Sequence, residues 1–383
     1  MSRLRDDLVG RAVYGAPEVF VPVRLNTNES PFPLPPSVAE AIAAALIDRV
    51  PTLNRYPDRE ATGLRVALAQ YVTERTGVAV SAASVWVANG SNEIFSQLFA
   101  AYAGPGRRVL GFPPSYSMHP LLASATASGW IDAEPELSGH GLDPRPLTRG
   151  RVERALRRHQ PEIVVLVSPN NPTGAGVDLA TVAAACEEAP GLVIVDEAYA
   201  EFTDAPSAVT LLADYPRLLV SRTMSKAFGL AGARVGYLIG DAELLAGIRL
   251  VRLPYHLSTL NQCAAEVALA HRGAMLEMVS EIRRQRDRLI EGLGGLGCEV
   301  YGRDANFVLF GGLADSGATW QALVDRGVLV RDVGLPGTLR VTAGTDAETS
   351  AFLSALAEIL ALAGGDAAGS DAAGSDSGEG RRL

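Results

Sequence analysis

Lysine is almost missing from this chain. Of its 34 basic side chains only one, Lys226, is lysine, and arginine supplies the rest. Charge alone therefore gives no reason for the exception. Arginine cannot lose its proton near neutral pH and attack a carbonyl; a primary amine can, once desolvation lowers its pKa. Cysteine is also scarce. Cys186, Cys263 and Cys298 are far apart and odd in number, and they show no C-x-x-C spacing. That excludes a disulfide framework and a zinc site, and it fits a reducing compartment. The five histidines show no ligand pairing, so no metal is expected. Positive charge is in deficit as well: a net charge of −9 argues against nucleic acid as a partner, because phosphate binding needs a basic face. No apolar run approaches the ~20 residues needed to cross a bilayer. Residues 1–7 are too charged for a signal peptide, which leaves a cytoplasmic protein as the expectation.

What is present is a large apolar inventory. With 383 residues and 48% hydrophobic side chains, the chain has enough material for one large domain and one smaller one. Short runs rich in Val, Ile and Leu at 84–88, 108–112, 163–167, 192–195, 218–221 and 235–239 alternate with helical periodicity at 63–76, 93–102, 152–159 and 179–189. Strands apolar on both faces, alternating with helices, predict an α/β fold with a mostly parallel central sheet between helices. A long helical stretch at 260–293 leads into a compact α+β unit with strands at 307–310, 327–331 and 338–342. The expected organisation is an N-terminal segment (1–50) packing on the small domain, a large domain (51–258), and a linking helix with the small C-terminal domain (259–363). The last part, 364–383, is a Gly/Ala/Ser/Asp tail expected to be disordered, for want of aliphatic anchors. The arginine-rich helix at 281–293 is expected to present a solvated face.

In parallel sheets, ligands bind beyond the carboxyl ends of the strands. The first end gives Asn89-Gly90-Ser91-Asn92-Glu93, where a glycine and a helix start make an anion cradle. The second gives Pro113-Pro114-Ser115-Tyr116, an aromatic ring. The third gives Ser168-Pro169-Asn170-Asn171-Pro172-Thr173-Gly174, a turn that presents an amide. The fourth ends in Asp196, followed by Glu197-Ala198-Tyr199; an acid ending so apolar a strand needs a cationic partner. The fifth leads to Lys226, with Arg234 eight residues on. Each motif has an ordinary reading alone: Asn171-Pro172 as a turn, the tyrosines as half-buried aromatics, the arginines as rim charges. Together they match the needs of a pyridine cofactor: a carboxylate for the ring nitrogen, donors for the phenolic oxygen, a phosphate cradle, a ring to stack on and an amine for the aldehyde.

S-P-N-N-P-T-G, then D-E-A-Y, then S-K-A-F-G-L-A-G-x-R-x-G resembles the fold-type I pyridoxal-phosphate aminotransferases. Leu25–Glu29 (L-N-T-N-E), N-R-Y-P-D at 54–58, N-G-S-N-E, P-S-Y, R-L-P-Y-H-L-S at 252–258 and L-R-V-T-x-G at 339–344 are similar to the histidinol-phosphate aminotransferases, in order, over nearly the whole chain. The resemblance implies pyridoxal 5'-phosphate as cofactor and Lys226 as both its covalent anchor and the acid/base of the proton shift. It implies Asp196 at the pyridinium nitrogen, Asn171 and Tyr199 at the phenolic oxygen, and Tyr116 stacked on the ring. Ser91, Asn92, Thr223, Ser225 and Arg234 would hold the phosphate. Tyr56 would reach the neighbouring subunit's cofactor across a homodimer interface. Arg340 would bind glutamate's carboxylate and histidinol phosphate's phosphate in alternate half-reactions, with Asn28, Tyr14 and Tyr255 as further substrate contacts. Ser30, Phe32 and Asn92 depart from the family's commonest pattern, away from the residues around the pyridinium nitrogen.

The implied reaction is a ping-pong transamination of histidinol phosphate and 2-oxoglutarate to imidazole-acetol phosphate and glutamate. Two alternatives share the fold: an aromatic amino-acid aminotransferase, and a decarboxylase acting on a phosphorylated amino acid. A transcription regulator would need a basic module for which the chain has no room. A nicotinamide oxidoreductase would want G-x-G-x-x-G spacing, which Gly229–Gly236 lacks.

Overall fold

The computed structural model describes residues 9–10, 15, 18–134, 137–138, 141–142 and 144–372. At its centre is a seven-stranded sheet in the order Val85–Ala88, Gly236–Gly240, Leu218–Thr223, Leu192–Asp196, Ile163–Val167, Arg108–Gly111, Gly129–Asp132. Gly236–Gly240 runs antiparallel to both neighbours, and the other pairings are parallel. Period-2 geometry sends alternate side chains to opposite faces. Val164, Leu166, Val193 and Val195 enter one core, while Ile163, Val165, Leu192 and Ile194 enter the other with Trp86, Phe95 and Phe99. Helices cover both faces, which is why the inner strands carry no polar alternation.

The small domain is built on an antiparallel sheet of Glu299–Val300, Phe307–Gly311 and Leu339–Thr342, with helices Ser316–Asp325 and Asp346–Ala372. The N-terminal strand Val23–Arg24 pairs with Val328–Leu329 of this domain. Helix Pro36–Arg49 instead packs on Thr259–Ala270.

Four features differ from the sequence expectation. The helical stretch at 260–293 is two helices, Thr259–Ala270 and Arg272–Gly295, parted at His271; His271 and Gly273 are poor helix formers. Arg286 is no solvated side chain: it is buried and donates to the carbonyls of Phe202 and Ala305. Helix Met118–Ala125 and edge strand Gly129–Asp132 escape a sequence reading because the latter is half exposed and lacks an apolar run. Finally, the last helix runs on to Ala372, past the boundary at 364. A packed helix propagates cheaply, one bond per added residue, and its alanines favour that. Residues 373–383 lie outside the described residues.

Candidate active site

The carboxyl ends of the parallel strands and the edge of the small domain enclose a cavity of about 520 Å³. Lys226 stands in its wall, with Nζ 3.3 Å from the carbonyl of Thr27. Burial first, then Arg340 and Arg234, pull its ammonium down to about 8, against an opposing effect of Glu29. At pH 7.5 roughly a quarter of such amines are neutral, against about one in a thousand at the ordinary lysine value. The chain's sole side-chain amine is therefore poised as a nucleophile.

Asp196 ends its strand 3% exposed. Its Oδ2 lies 3.3 Å from His119 Nε2, within ion-pair reach but off the line of a hydrogen bond, and its Oδ1 has no hydrogen-bond partner among the described residues. A buried carboxylate oxygen in this state is costly unless something cationic meets it. Asn171 and Tyr199 lie beside it in the cavity wall. Arg340 Nη1 donates to Asn171 Oδ1 at 2.5 Å and its Nη2 to the Asn26 carbonyl at 2.9 Å, while its guanidinium sits 5.0 Å over the Phe307 ring. Tyr199 meets the same ring edge-on and accepts from Asn28 Nδ2 at 3.0 Å. Tyr116 also lines the cavity, its hydroxyl 3.4 Å from Asn92 Oδ1.

The loop read from the sequence as a candidate anion cradle has the following geometry. Gly90, at φ +81°, opens helix Ser91–Tyr102 without a side-chain cap. A Cβ on Gly90 would come 2.7 Å from Arg234 Nη2, and one on Gly236 would come 2.5 Å from the Ser91 nitrogen. Only glycines let the arginine and the helix start approach this closely, and the helix dipole favours an anion there. Thr223 Oγ1 donates to Ser225 Oγ at 3.0 Å, and Arg234 Nη1 reaches that same oxygen at 3.4 Å.

The site thus gathers Lys226, Asp196, Asn171, Tyr199, Tyr116, Ser91, Asn92, Thr223, Ser225, Arg234, Arg340 and Asn28. Tyr56 and Tyr255 are not in the cavity lining; they stack on each other, centroids 4.5 Å apart, on the surface. Tyr14 lies outside the described residues. His256 stacks on Trp86, with ring centroids 5.5 Å apart. Sequence reasoning missed two residues. His119, in the first turn of the unforeseen helix, packs between Phe95 and Tyr116. Arg331 pairs backbone to backbone with Arg340, lines the cavity, and keeps Nη1 buried without a hydrogen-bond partner among the described residues. Applying the strand-end rule to the small domain would have found it.

Residues 21–356 match the family model for aminotransferase class I and II. The chain belongs to the class I and II aminotransferases. Among its relatives, the histidinol-phosphate aminotransferase of Frankia casuarinae is 52% identical over 363 residues, covering 93% of this chain and 90% of that protein. The enzyme of the same name from Thermobifida fusca is 50% identical over 355 residues, covering 92% and 94%. The crystal structure of histidinol-phosphate aminotransferase from Sinorhizobium meliloti in complex with pyridoxal-5'-phosphate superposes with a TM-score of 0.81 at 25% identity, covering 94% of this chain and 98% of that one. A mutant of Thermus thermophilus aspartate aminotransferase has a TM-score of 0.79 at 24% identity and shares the fold.

Proposed function

We propose that this aminotransferase moves the amino group of L-histidinol phosphate to 2-oxoglutarate, giving imidazole-acetol phosphate and L-glutamate by a ping-pong mechanism, with pyridoxal 5'-phosphate as cofactor. The observation that carries the proposal is that the sole lysine shares one cavity with buried Asp196, whose Oδ1 has no hydrogen-bond partner among the described residues. The relatives' names supply the substrate.

The residues present fit the cofactor. Asp196 would hold its ring nitrogen, Asn171 and Tyr199 its phenolic oxygen, Tyr116 its ring face, and the Gly90–Asn92 helix start with Thr223, Ser225 and Arg234 its phosphate. When bound, pyridoxal phosphate supplies an aldehyde for amines and a ring that takes up the electron pair left at the substrate's α-carbon. The chain does the rest. Arg340 and Arg331 draw in the substrate's anionic end, phosphate in one half-reaction and carboxylate in the other, since a guanidinium fork suits both. Lys226 Nζ would take the substrate's α-proton and deliver it across the nitrogen, to the carbon that was the cofactor's aldehyde, and a pKa near 8 suits this two-way transfer at neutral pH. Asp196, held against His119, keeps the ring nitrogen protonated.

The reading is tested by comparing kcat/KM for histidinol phosphate and for phenylalanine, with 2-oxoglutarate as acceptor. The former is expected to exceed the latter by at least about 100-fold, because a polar pocket rejects a substrate that leaves its charged groups unpaired. The reverse ranking would make the chain an aromatic aminotransferase. Release of CO₂ without any keto-acid requirement would make it a decarboxylase.

A homodimer belongs to the same proposal. Leu250 and Leu253 are 87% and 72% exposed, and Ile47 and Tyr56 are 70% and 79% exposed. The Tyr56–Tyr255 stack joins these two segments into one apolar face, which a soluble monomer rarely leaves open. A second copy covering it would carry Tyr56 toward the neighbouring cavity. Leu253→Asp is expected to shift the protein from dimer to monomer in sedimentation velocity; an unchanged dimer would place the interface elsewhere. No helix among the described residues is long and apolar enough to cross a membrane.

A further inference from the structure

Asn28, expected as a substrate contact, lines the cavity with its side chain engaged by other residues of the chain. Four hydrogen bonds hold it. Its backbone N–H donates to Thr342 Oγ1 at 3.1 Å, and that hydroxyl donates back to Asn28 Oδ1, also at 3.1 Å. Asn306 Nδ2 donates to its carbonyl at 3.1 Å, and its own Nδ2 donates to the Tyr199 hydroxyl at 3.0 Å. The residue is 2% exposed, and its φ of +55° is one that asparagine adopts more readily than most side chains. It therefore joins three parts of the molecule: the N-terminal segment, the small-domain strand that carries Arg340, and the tyrosine at the end of the central sheet.

The hydrogen bonds have a direction. The Thr342 hydroxyl accepts from the backbone of Asn28, so its own proton goes to Asn28 Oδ1. That fixes the amide orientation and turns Nδ2 toward Tyr199. A phenol oxygen that accepts from an amide is held as a donor in its own right. We infer that Asn28 is a positioning residue for the reaction: it sets the Tyr199 hydroxyl as a hydrogen-bond donor to the cofactor's phenolic oxygen, in register with the strand that carries Arg340. This rests on the pyridoxal-phosphate reading above.

Two variants test it. Asn28→Asp keeps the shape and the bond from Thr342 but puts an acceptor where the amide donated, so the tyrosine proton is drawn toward the carboxylate. Asn28→Gly removes the side chain at a φ that glycine tolerates. The first readout is the pH midpoint of the bound cofactor's absorption band, since a donor to the phenolic oxygen favours its ionised form. Losing that donor is expected to move the midpoint up by about one pH unit in both variants. The second is turnover: kcat is expected to fall roughly ten- to a hundredfold with little change in KM for the amino donor. Thermal unfolding of the protein freed of cofactor separates this from a fold defect. Variants that keep the wild-type midpoint and kcat would overturn the inference, as would a loss of cofactor-free stability with an unmoved midpoint. If wild-type protein itself shows no pH-dependent cofactor band, the cofactor reading falls, and this inference falls with it.

Discussion

Lys226→Arg is expected to fold normally and to turn over at least about 10⁴-fold more slowly than the wild type. The substitution keeps a positive charge in the cavity and removes the one side-chain amine the chain possesses. If Lys226 served only as a cation, balancing Glu29 or drawing in anions, arginine would do as well or better. A guanidinium, which stays protonated at every pH the protein meets, can neither form the covalent link to an aldehyde nor take a proton from carbon at neutral pH. The size of the loss follows from removing both roles at once. The depressed pKa adds a stability check with a definite sign. The folded-state value of about 8 lies below the ordinary lysine value of 10.5, so the cofactor-free fold resists protonation of this amine. The resulting penalty is fully present below pH 8 and fades as pH rises to 10.5. Lys226→Met should therefore make the cofactor-free protein more stable at neutral pH, with the gain shrinking toward pH 10.5 in denaturant titrations. A variant less stable than wild type throughout that range would contradict the assignment of burial as the main cause.

Asp196→Asn is expected to lower kcat by about 10³-fold and to weaken cofactor binding, while the cofactor-free protein becomes no less stable. Both expectations come from the same atoms. The carboxylate is buried, one oxygen faces His119, and the other has no partner among the described residues, so the cofactor-free protein bears the cost of a poorly compensated buried carboxylate. The amide removes that cost. It also removes the anion needed to hold a protonated ring nitrogen, and a fixed charge in a desolvated site is where catalysis gains most. Opposite signs for stability and activity would mark Asp196 as a functional acid. If stability and activity fell together, Asp196 would instead be part of the scaffold through its contact with His119. Measuring kcat beside the unfolding midpoint of the cofactor-free variant decides between the two.

The sheet interior was legible because parallel strands buried on both faces leave uninterrupted apolar runs, and 163–167 is the clearest case. The candidate site was legible for a related reason. In such a sheet ligands bind beyond the strand ends, so reading the residues after each run leads to Asp196, Asn171 and Lys226, which line one cavity. What stayed hidden lacks a local signature. Gly129–Asp132 is an edge strand whose faces are half wet. His119 takes its meaning only from the Asp196 carboxylate that folding brings 3.3 Å away. Arg286 looks like its solvated neighbours until the carbonyls of Phe202 and Ala305 come over it. Asn28 gains its partners Thr342, Asn306 and Tyr199 only when folding brings three distant parts of the chain together.

The central claim is that Lys226 anchors the cofactor, and the chain's composition makes that unusually easy to test. With one lysine, the only other primary amine is the N-terminus. Protein loaded with pyridoxal phosphate, reduced with borohydride and digested is expected to carry the adduct on the peptide containing Lys226, and that label is expected to be lost if glutamate is added before reduction. An adduct found only on the N-terminal peptide would contradict the account.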